Sequence, residues 1–283
     1  MGKSHSVITP ITRIDGRQYL NNHVASTFYT KEVRGTLLRV EKVLVIGLGE
    51  IGAPLLEIVR GVFSVEGLDI EPKNIHGTVD VMHVCFPYTT KFVETVTNYI
   101  RMFDPKLTII ESTVLPLTTN KIYERTKKAI CHSPVRGRKA DGFKWAYFTY
   151  TKFIGPAKPE FAKMAEEYYR ALGFKTYVCN SPLETEFMKI LNTTYYGLMI
   201  TWFQEIHRIC KKFNLNEEQV IEFMRTNETD SGKTHLRPIF YPGVIGGHCV
   251  IPNAKLLVEL YSSPFAEAII ESNEKRKKEL EEY

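Results

Sequence analysis

The feature that most constrains the fold is a glycine-rich turn between a predicted strand and a predicted helix. Residues 42–46 read Lys-Val-Leu-Val-Ile, an apolar β-branched run typical of a strand that is buried on both faces. A turn with the spacing Gly-x-Gly-x-x-Gly follows, and residues 53–59 have helical character. This order of elements is typical of a βαβ unit that holds the phosphates of a dinucleotide at the start of its helix. The predicted cofactor-binding residues of the turn are Gly47, Gly49, Glu50, Ile51 and Gly52.

The carboxylate of Asp69 indicates which cofactor the turn would bind. This residue ends a second predicted strand, about 20 residues past the first glycine, where a carboxylate accepts hydrogen bonds from ribose hydroxyls. It favours NAD over NADP, because it would repel the additional 2′-phosphate. S-adenosylmethionine also carries an adenosine, so it remains an alternative cofactor.

Further buried strands are predicted over 80–87, 107–114, 128–134, 152–155 and 175–179, with helical segments between them. The alternation predicts an α/β fold, a Rossmann-like doubly wound parallel sheet. Ligands of such sheets lie at the carboxyl ends of the strands, which is where Pro87 and Thr113 fall.

A second glycine-rich segment, residues 241–253, contains Gly246-Gly247-His248-Cys249 just before a predicted helix over 254–260. A thiol at the start of a helix lies near the positive end of the helix dipole, which favours the nucleophilic thiolate. His248 beside it would act in the same direction. The alternative interpretation is a structural cysteine buried in a tight turn.

Two of these motifs resemble those of a known family. Gly-Gly-His-Cys followed by Ile-Pro, and Ser112-Thr113-Val114 at a strand end, resemble motifs of the nucleotide-sugar 6-dehydrogenases, the UDP-glucose and GDP-mannose dehydrogenase superfamily. The resemblance implies that Cys249 attacks an enzyme-bound aldehyde, that NAD accepts two hydrides in turn, and that a thioester is hydrolysed. It also implies that Thr113 lines the active site, that Pro87 lies beside the nicotinamide, and that the protein is a homodimer.

A long helix is predicted from Ser181 to about Phe213, because Ser-Pro-Leu-Glu at 181–184 forms a capping box. One face carries a polar stripe: Thr185, Lys189, Asn192 and Tyr196. An amine and an amide near the thiol would stabilise an oxyanion on its adduct. The resemblance assigns this role to a lysine and an asparagine four residues apart. Asn192 is one residue short of that spacing, and Thr193 occupies the four-residue position.

Three departures from the family are visible. Val135 and Asn253 stand where the family has carboxylates that activate water, and neither side chain can act as a base. Only about ten residues separate Asp69 from Asp80, which predicts a sheet trimmed by one βα unit. The chain also has no room for the family's C-terminal nucleotide-binding domain, so the resemblance describes a truncated, divergent relative.

Length and composition add a few limits. The 283 residues divide into a predicted N-terminal extension (1–40), a dinucleotide-binding domain (41–180) and an all-α central, dimerisation domain (181–283). The net charge of +5 comes from dispersed basic residues, so it suggests a small anionic substrate rather than nucleic acid. Five cysteines without paired spacing predict no metal site, no disulfide framework and a cytoplasmic location. No apolar run is long enough to predict a membrane span, and no signal peptide is predicted.

The sequence therefore predicts an NAD-dependent oxidoreductase acting on an alcohol or aldehyde smaller than a nucleotide sugar, through an adduct on Cys249. Two other functions stay open. One is an S-adenosylmethionine-dependent methyltransferase on a dehydrogenase-like scaffold, and the other is a non-catalytic NAD-binding protein.

Overall fold

A computed structural model of the chain describes residues 12–14, 17–19, 39–70, 78–137, 139–231 and 238–281. Within the predicted N-terminal extension, β1 (Thr12–Ile14) and β2 (Arg17–Tyr19) pair as an antiparallel hairpin. The rest of the described chain consists of a seven-stranded sheet and a set of helices that continues from its last strand.

The sheet has the strand order β4-β3-β5-β6-β7-β8-β9. Its strands are β3 (Lys42–Ile46), β4 (Ser64–Leu68), β5 (Val81–Val84), β6 (Leu107–Ile110), β7 (Ile130–His132), β8 (Lys152–Pro156) and β9 (Thr176–Val178). Neighbouring strands are parallel except β7 and β8, which run antiparallel. This one reversal departs from the predicted all-parallel sheet, because the chain between β7 and β8 starts and finishes at the same end of the sheet. Strand β4 is an edge strand, as expected for a sheet trimmed by one unit.

Helices cover both faces of this sheet, which confirms the predicted doubly wound α/β fold. One face packs against α1 (Gly52–Arg60), α4 (Phe143–Thr149) and α5 (Pro159–Ala171). The other packs against α2 (Phe92–Phe103) and α3 (Thr118–Thr126). Strand residues of β3, β5 and β6 are almost fully buried between the two layers, as their continuous apolar sequences predicted.

The helical part follows α6, a 32-residue helix spanning Pro182–Phe213. The predicted cap is present: Ser181 Oγ accepts a hydrogen bond from Leu183 N at 3.2 Å and donates one to the Glu184 carboxylate. Helices α8 (Val250–Tyr261) and α9 (Pro264–Glu281) pack against α6 through one apolar cluster, and α7 (Glu217–Ser231) packs through a second.

Two polar stretches in this part are helical. Residues 226–231 continue α7. The charged tail after Asn273 is helical to Glu281, because oppositely charged side chains three residues apart pair along it, such as Lys277 with Glu274 at 2.7 Å. None of the described helices is both long enough and apolar enough to cross a membrane.

The first two turns of α6 dock onto the sheet at a polar joint, formed by Thr119, His132, Gly155, Thr185 and Glu186. Thr185 Oγ1 lies 2.8 Å from His132 Nδ1. The Glu186 carboxylate accepts hydrogen bonds from the backbone N–H groups of Leu117 (2.7 Å) and Thr119 (2.9 Å), at the start of α3. Gly155 is required by the close approach, because a Cβ there would lie 2.4 Å from Thr185 Oγ1.

Candidate active site

A cleft of about 970 Å³ opens between the sheet, α6 and the segment before α8. The glycine turn contributes Glu50 to its lining, α6 contributes Lys189, Asn192 and Thr193, and the segment before α8 contributes Cys249. The fold thus brings together residues that are about 200 positions apart in the sequence. Of the four predicted catalytic residues, Cys249, Lys189 and Asn192 line this cleft.

The glycine turn has the geometry that its spacing predicts. Gly47 has φ of +87°, a conformation that favours glycine. A Cβ at Gly52 would lie 1.8 Å from Gly47 O, so the first turn of α1 fits against β3 only without a side chain. A Cβ at Gly49 would meet no atom within 4 Å, so the backbone is open on that side. Together these features leave a bare backbone at the start of a helix, a site suited to phosphate groups.

The other predicted cofactor and active-site residues lie along the carboxyl edge of the sheet and do not line the cleft. Asp69 is exposed directly after β4, Pro87 is exposed just after β5, and Thr113 is half-buried just after β6. These strand ends are neighbours, because Ile46 pairs with both Leu68 and Val84. Thr113, unlike the other three catalytic candidates, does not line the cleft itself.

Cys249 is the exposed cysteine among five, all of which lie in the described residues. It occupies the N-cap position of α8, and its thiol makes no capping hydrogen bond. The helix begins at Val250, four residues before the predicted start at residue 254. The alternative of a buried structural cysteine is therefore wrong. Gly247, with φ of +76°, turns the chain just before it, and His248 is exposed and lines the same cleft.

Lys189 extends from α6 toward the loop after β7, and its Nζ donates a hydrogen bond to Val135 O at 2.8 Å. Burial lowers the pKa of Lys189, and the positive charges of Lys152 and Arg136 lower it further. A negative charge on Cys249 acts in the opposite direction, so the thiol and the amine are electrostatically linked.

The two polar residues that follow Lys189 differ in environment. Asn192 is exposed, whereas Thr193 is buried and accepts a hydrogen bond from Asn253 Nδ2 at 3.0 Å. Asn253 N in turn donates to Cys249 O at 3.1 Å. Thr193, at the four-residue spacing from Lys189, therefore adds a hydrogen bond to the apolar contacts between α6 and the helix bearing the thiol. The four-residue spacing from Lys189 was the signal for Thr193 in the sequence. The hydrogen bond between Thr193 and Asn253 was not predicted.

The remaining wall is aromatic and positively charged. The Arg136 guanidinium lies 5.3 Å from the ring centroid of Tyr150 and 5.5 Å from that of Phe153. All three residues line the cleft, and the two rings were not predicted as site residues. Among the described lining residues, Glu50 is the carboxylate, whereas Arg136 and Lys189 are both cations. Val135, whose backbone oxygen accepts from Lys189, is buried, and its apolar side chain cannot act as a base.

No group of three or more histidine, cysteine, aspartate or glutamate side chains that could bind a metal ion occurs in the part of the chain that the structure describes.

Comparison with known proteins supports the resemblance. A UDP-N-acetyl-D-mannosamine dehydrogenase from Methanococcus maripaludis is 25% identical over 276 residues, covering 78% of this chain and 62% of that protein. The chain thus spans less than two thirds of the length of this curated relative. Among solved structures, a UDP-D-ManNAc dehydrogenase from Pyrococcus horikoshii aligns with a TM-score of 0.69 at 20% identity, over 84% of this chain and 68% of its own. A UDP-N-acetyl-mannosamine dehydrogenase from Staphylococcus aureus gives the same TM-score at 19% identity, over 85% and 69%.

The helical part carries the most direct relationship. Residues 183–275 match the central domain of the UDP-glucose/GDP-mannose dehydrogenase family. This range includes α6, the Gly-Gly-His-Cys turn and most of α9. The resemblance predicted from the motifs is therefore confirmed, and residues 183–275 are the part of the chain that matches the central domain of the UDP-glucose/GDP-mannose dehydrogenase family.

Proposed function

We propose that the chain is an NAD-dependent oxidoreductase that oxidises an alcohol or aldehyde through a covalent adduct on Cys249. The observation that supports this most strongly is the shared cleft, which is lined by Cys249, Lys189 and, from the glycine turn, Glu50. In this proposal residues 41–180 hold the cofactor, and residues 181–283 supply the nucleophile.

The glycine turn fits NAD in its stereochemistry and charge. The open side of Gly49 lets a pyrophosphate approach the backbone, the N-terminus of α1 faces it, and Asp69 accepts hydrogen bonds from a ribose. NAD, when bound, supplies the hydride acceptor for the reaction. We expect NADP to bind more weakly, because Asp69 would lie near its 2′-phosphate.

The chain's own residues would act as follows on an aldehyde, whether supplied directly or formed from the alcohol by a first oxidation. The Cys249 thiolate adds to the carbonyl carbon, so that a carbon–sulfur bond forms and the carbonyl electron pair moves onto oxygen. The Lys189 ammonium stabilises this oxyanion, and Asn192 offers an amide donor on the same side of α6. Loss of hydride from the adduct carbon then leaves a thioester on Cys249.

The fate of the thioester depends on a base. Hydrolysis requires a group that takes a proton from water, and neither Val135 nor Asn253 can do so. Asn253 is moreover committed to Thr193. We propose that hydrolysis is slow in this chain, and that the acyl group persists on Cys249 until another acceptor removes it.

The substrate is proposed by chemical class. The cleft volume lies within the range of small-molecule sites, and Arg136, stacked on Tyr150 and Phe153, is placed to bind an anionic group. UDP-N-acetyl-D-mannosamine is the substrate named for the relatives, so it is the first compound to test, followed by smaller anionic alcohols and aldehydes.

We also propose a homodimer formed through α6. Its outer face exposes Tyr195, Trp202 and Phe213, each at least half accessible to solvent. Sedimentation equilibrium should give twice the chain mass. A monomer at micromolar concentration would contradict the proposal.

The test of function combines ligand binding with thiol reactivity. Thermal stability is measured with NAD, NADP and S-adenosylmethionine, and Cys249 is labelled with iodoacetamide at neutral pH, followed by peptide mass spectrometry. We expect stabilisation by NAD, selective labelling of Cys249, and NADH formation with substrate that is lost in Cys249→Ala but retained in Cys210→Ala, whose thiol is buried. Stabilisation by S-adenosylmethionine alone would favour a methyltransferase. NAD binding with an inert Cys249 would favour a non-catalytic protein.

A further inference from the structure

A buried polar cluster lies beneath the cleft, and the proposed chemistry gives it no role. Its centre is Glu111, which follows β6 and is 1% exposed. One carboxylate oxygen accepts from Lys152 Nζ at 2.6 Å; the other accepts from Tyr169 OH at 2.6 Å and lies 3.1 Å from His83 Nδ1. His83 Nε2 lies 2.8 Å from Tyr168 OH. Burial alone would raise the pKa of Glu111, but Lys152 and His83 offset it and bring the pKa to about 2.

Such a buried ion pair is a poor device for stability alone. The desolvation of two charges commonly cancels their attraction, and an apolar pair of similar shape often serves as well. The cluster therefore needs another explanation, and its hydrogen bonds lead directly to the candidate active site.

The connection runs through the backbone of residues 133–135. Lys152 Nζ donates a second hydrogen bond, at 2.6 Å, to Ser133 O. Val135 N donates to the backbone oxygen of Glu111 at 3.3 Å. The Lys152 side chain, itself held by the Glu111 carboxylate, thus anchors this segment at Ser133, and the Glu111 backbone anchors it at Val135. The last carbonyl of this segment, Val135 O, is the hydrogen-bond acceptor of Lys189 Nζ, whose residue lines the cleft.

A lysine side chain has four rotatable bonds, so an ammonium without a fixed acceptor would sample many positions. A carbonyl that is held in place restricts the ammonium to one position. We propose that Glu111 and Lys152 are a positioning pair, which fixes the Val135 carbonyl and through it directs the Lys189 amine toward Cys249. The inference rests on the proposed function in one respect: Cys249 is the thiol that Lys189 serves.

The test is a double-mutant cycle on the rate at which iodoacetamide alkylates Cys249 at pH 7. The pair is removed together, as Glu111→Gln with Lys152→Met, so that no buried charge is left alone. We expect this pair variant and Lys189→Met each to slow alkylation by about threefold to tenfold, the range for losing one cation beside a thiolate in a partly exposed cleft. The combined variant should be no slower than Lys189→Met alone.

A matched control removes the same charges from the surface. Lys277 and Glu274 form an exposed ion pair on α9 at 2.7 Å, and Lys277→Met with Glu274→Gln should leave the rate unchanged. Thermal melting verifies folding of every variant. If the pair variant does not fold, Glu111→Gln with Lys152→Leu, which also leaves no buried charge alone, takes its place in the cycle.

The outcomes separate this inference from the proposed function. A folded pair variant that is alkylated at the wild-type rate would overturn the positioning role only. The same holds for a combined variant in which the two rate losses multiply, since the pair would then act independently of Lys189. A Lys189→Met variant with the wild-type rate would overturn both, because the amine would then have no effect on the thiol.

Discussion

The polar joint between the sheet and α6 contains two buried titratable groups that should oppose each other in the pH dependence of stability. Burial raises the pKa of Glu186 to about 7, although the donors on Thr119 and Leu117 partly offset it. Burial lowers the pKa of His132 to about 3. In the unfolded chain the same groups would titrate near 4.5 and 6.5.

The signs follow from proton binding in the two states. Between pH 4.5 and 6.5 the folded chain keeps a proton on Glu186 that the unfolded chain releases, so this group lowers the free energy of unfolding as pH rises. Over the same interval the unfolded chain holds a proton on His132 that the folded chain excludes, so this group raises it. Each slope is at most about 1.4 kcal/mol per pH unit, and the two nearly cancel.

Glu186→Gln removes one slope and leaves the other. The free energy of unfolding of this variant should rise with pH, relative to the wild type, by up to about 2.7 kcal/mol between pH 4.5 and 6.5. Urea denaturation followed by circular dichroism at half-unit intervals measures this difference. His132→Asn should give a difference of opposite sign, and Glu160→Gln, at an exposed position on α5, should give none. A Glu186→Gln profile parallel to that of the wild type would refute the reasoning, because Glu186 would then be ionised in the folded protein throughout.

Three further substitutions test other parts of the structure. Gly52→Ala places a Cβ 1.8 Å from Gly47 O, so α1 must shift; we expect a lower melting temperature and at least a tenfold loss of NAD affinity by calorimetry. Gly155→Ala places a Cβ 2.4 Å from Thr185 Oγ1, and overpacking of this kind should lower the free energy of unfolding by about 1–3 kcal/mol in urea titrations. Val135→Glu places a carboxylate beside Lys189. The acetyl thioester that p-nitrophenyl acetate forms on Cys249 should then be hydrolysed about tenfold faster or more, as followed by mass spectrometry.

Each of these predictions has a matched control and a contrary result. Gly49→Ala meets no atom, so it should weaken NAD binding without changing the melting temperature; equal melting losses in both glycine variants would contradict the assigned geometry. Gly173→Ala, at an exposed turn where the nearest atom is 3.8 Å away, separates backbone strain from overpacking. Unchanged deacylation in Val135→Glu would indicate that a base is supplied from elsewhere.

Elements that depend on a few consecutive residues were predicted correctly from the sequence. The glycine turn, the apolar strand β3 and the cap at Ser181 each depend on a few consecutive residues, and all three appear as predicted. The convergence of Lys189 and Cys249 on one cleft followed from the motifs and their order, since the carboxyl edge of a parallel sheet gathers distant residues.

Features that depend on contacts across the fold were not predictable in this way. Helix α4 has no side-chain cap at its N-terminus, and the contact of Tyr150 at its C-terminus with Arg136, at 5.3 Å, joins residues 14 positions apart. The burial of Glu186 against α3 cannot be inferred from helical spacing, because its partners are 67 or more positions away. Similarly, helical spacing placed Asn192 on the same face as Lys189. It could not predict that Asn253 of α8 would form its hydrogen bond with the neighbouring residue, Thr193.

The length of α6 gives small displacements at the sheet a large effect elsewhere. At about 1.5 Å per residue, its 32 residues make a rod of roughly 48 Å that is clamped at its first turns. A rod of this length amplifies rotation, so that a tilt of about 5° at the clamped end carries the far end through about 4 Å. A substitution near Gly155 would therefore displace α7 most, because α7 packs near the far end of α6. Helix α8 is bonded at Thr193, about a third of the way along, so the thiol in front of it would move by roughly 1.4 Å for the same tilt.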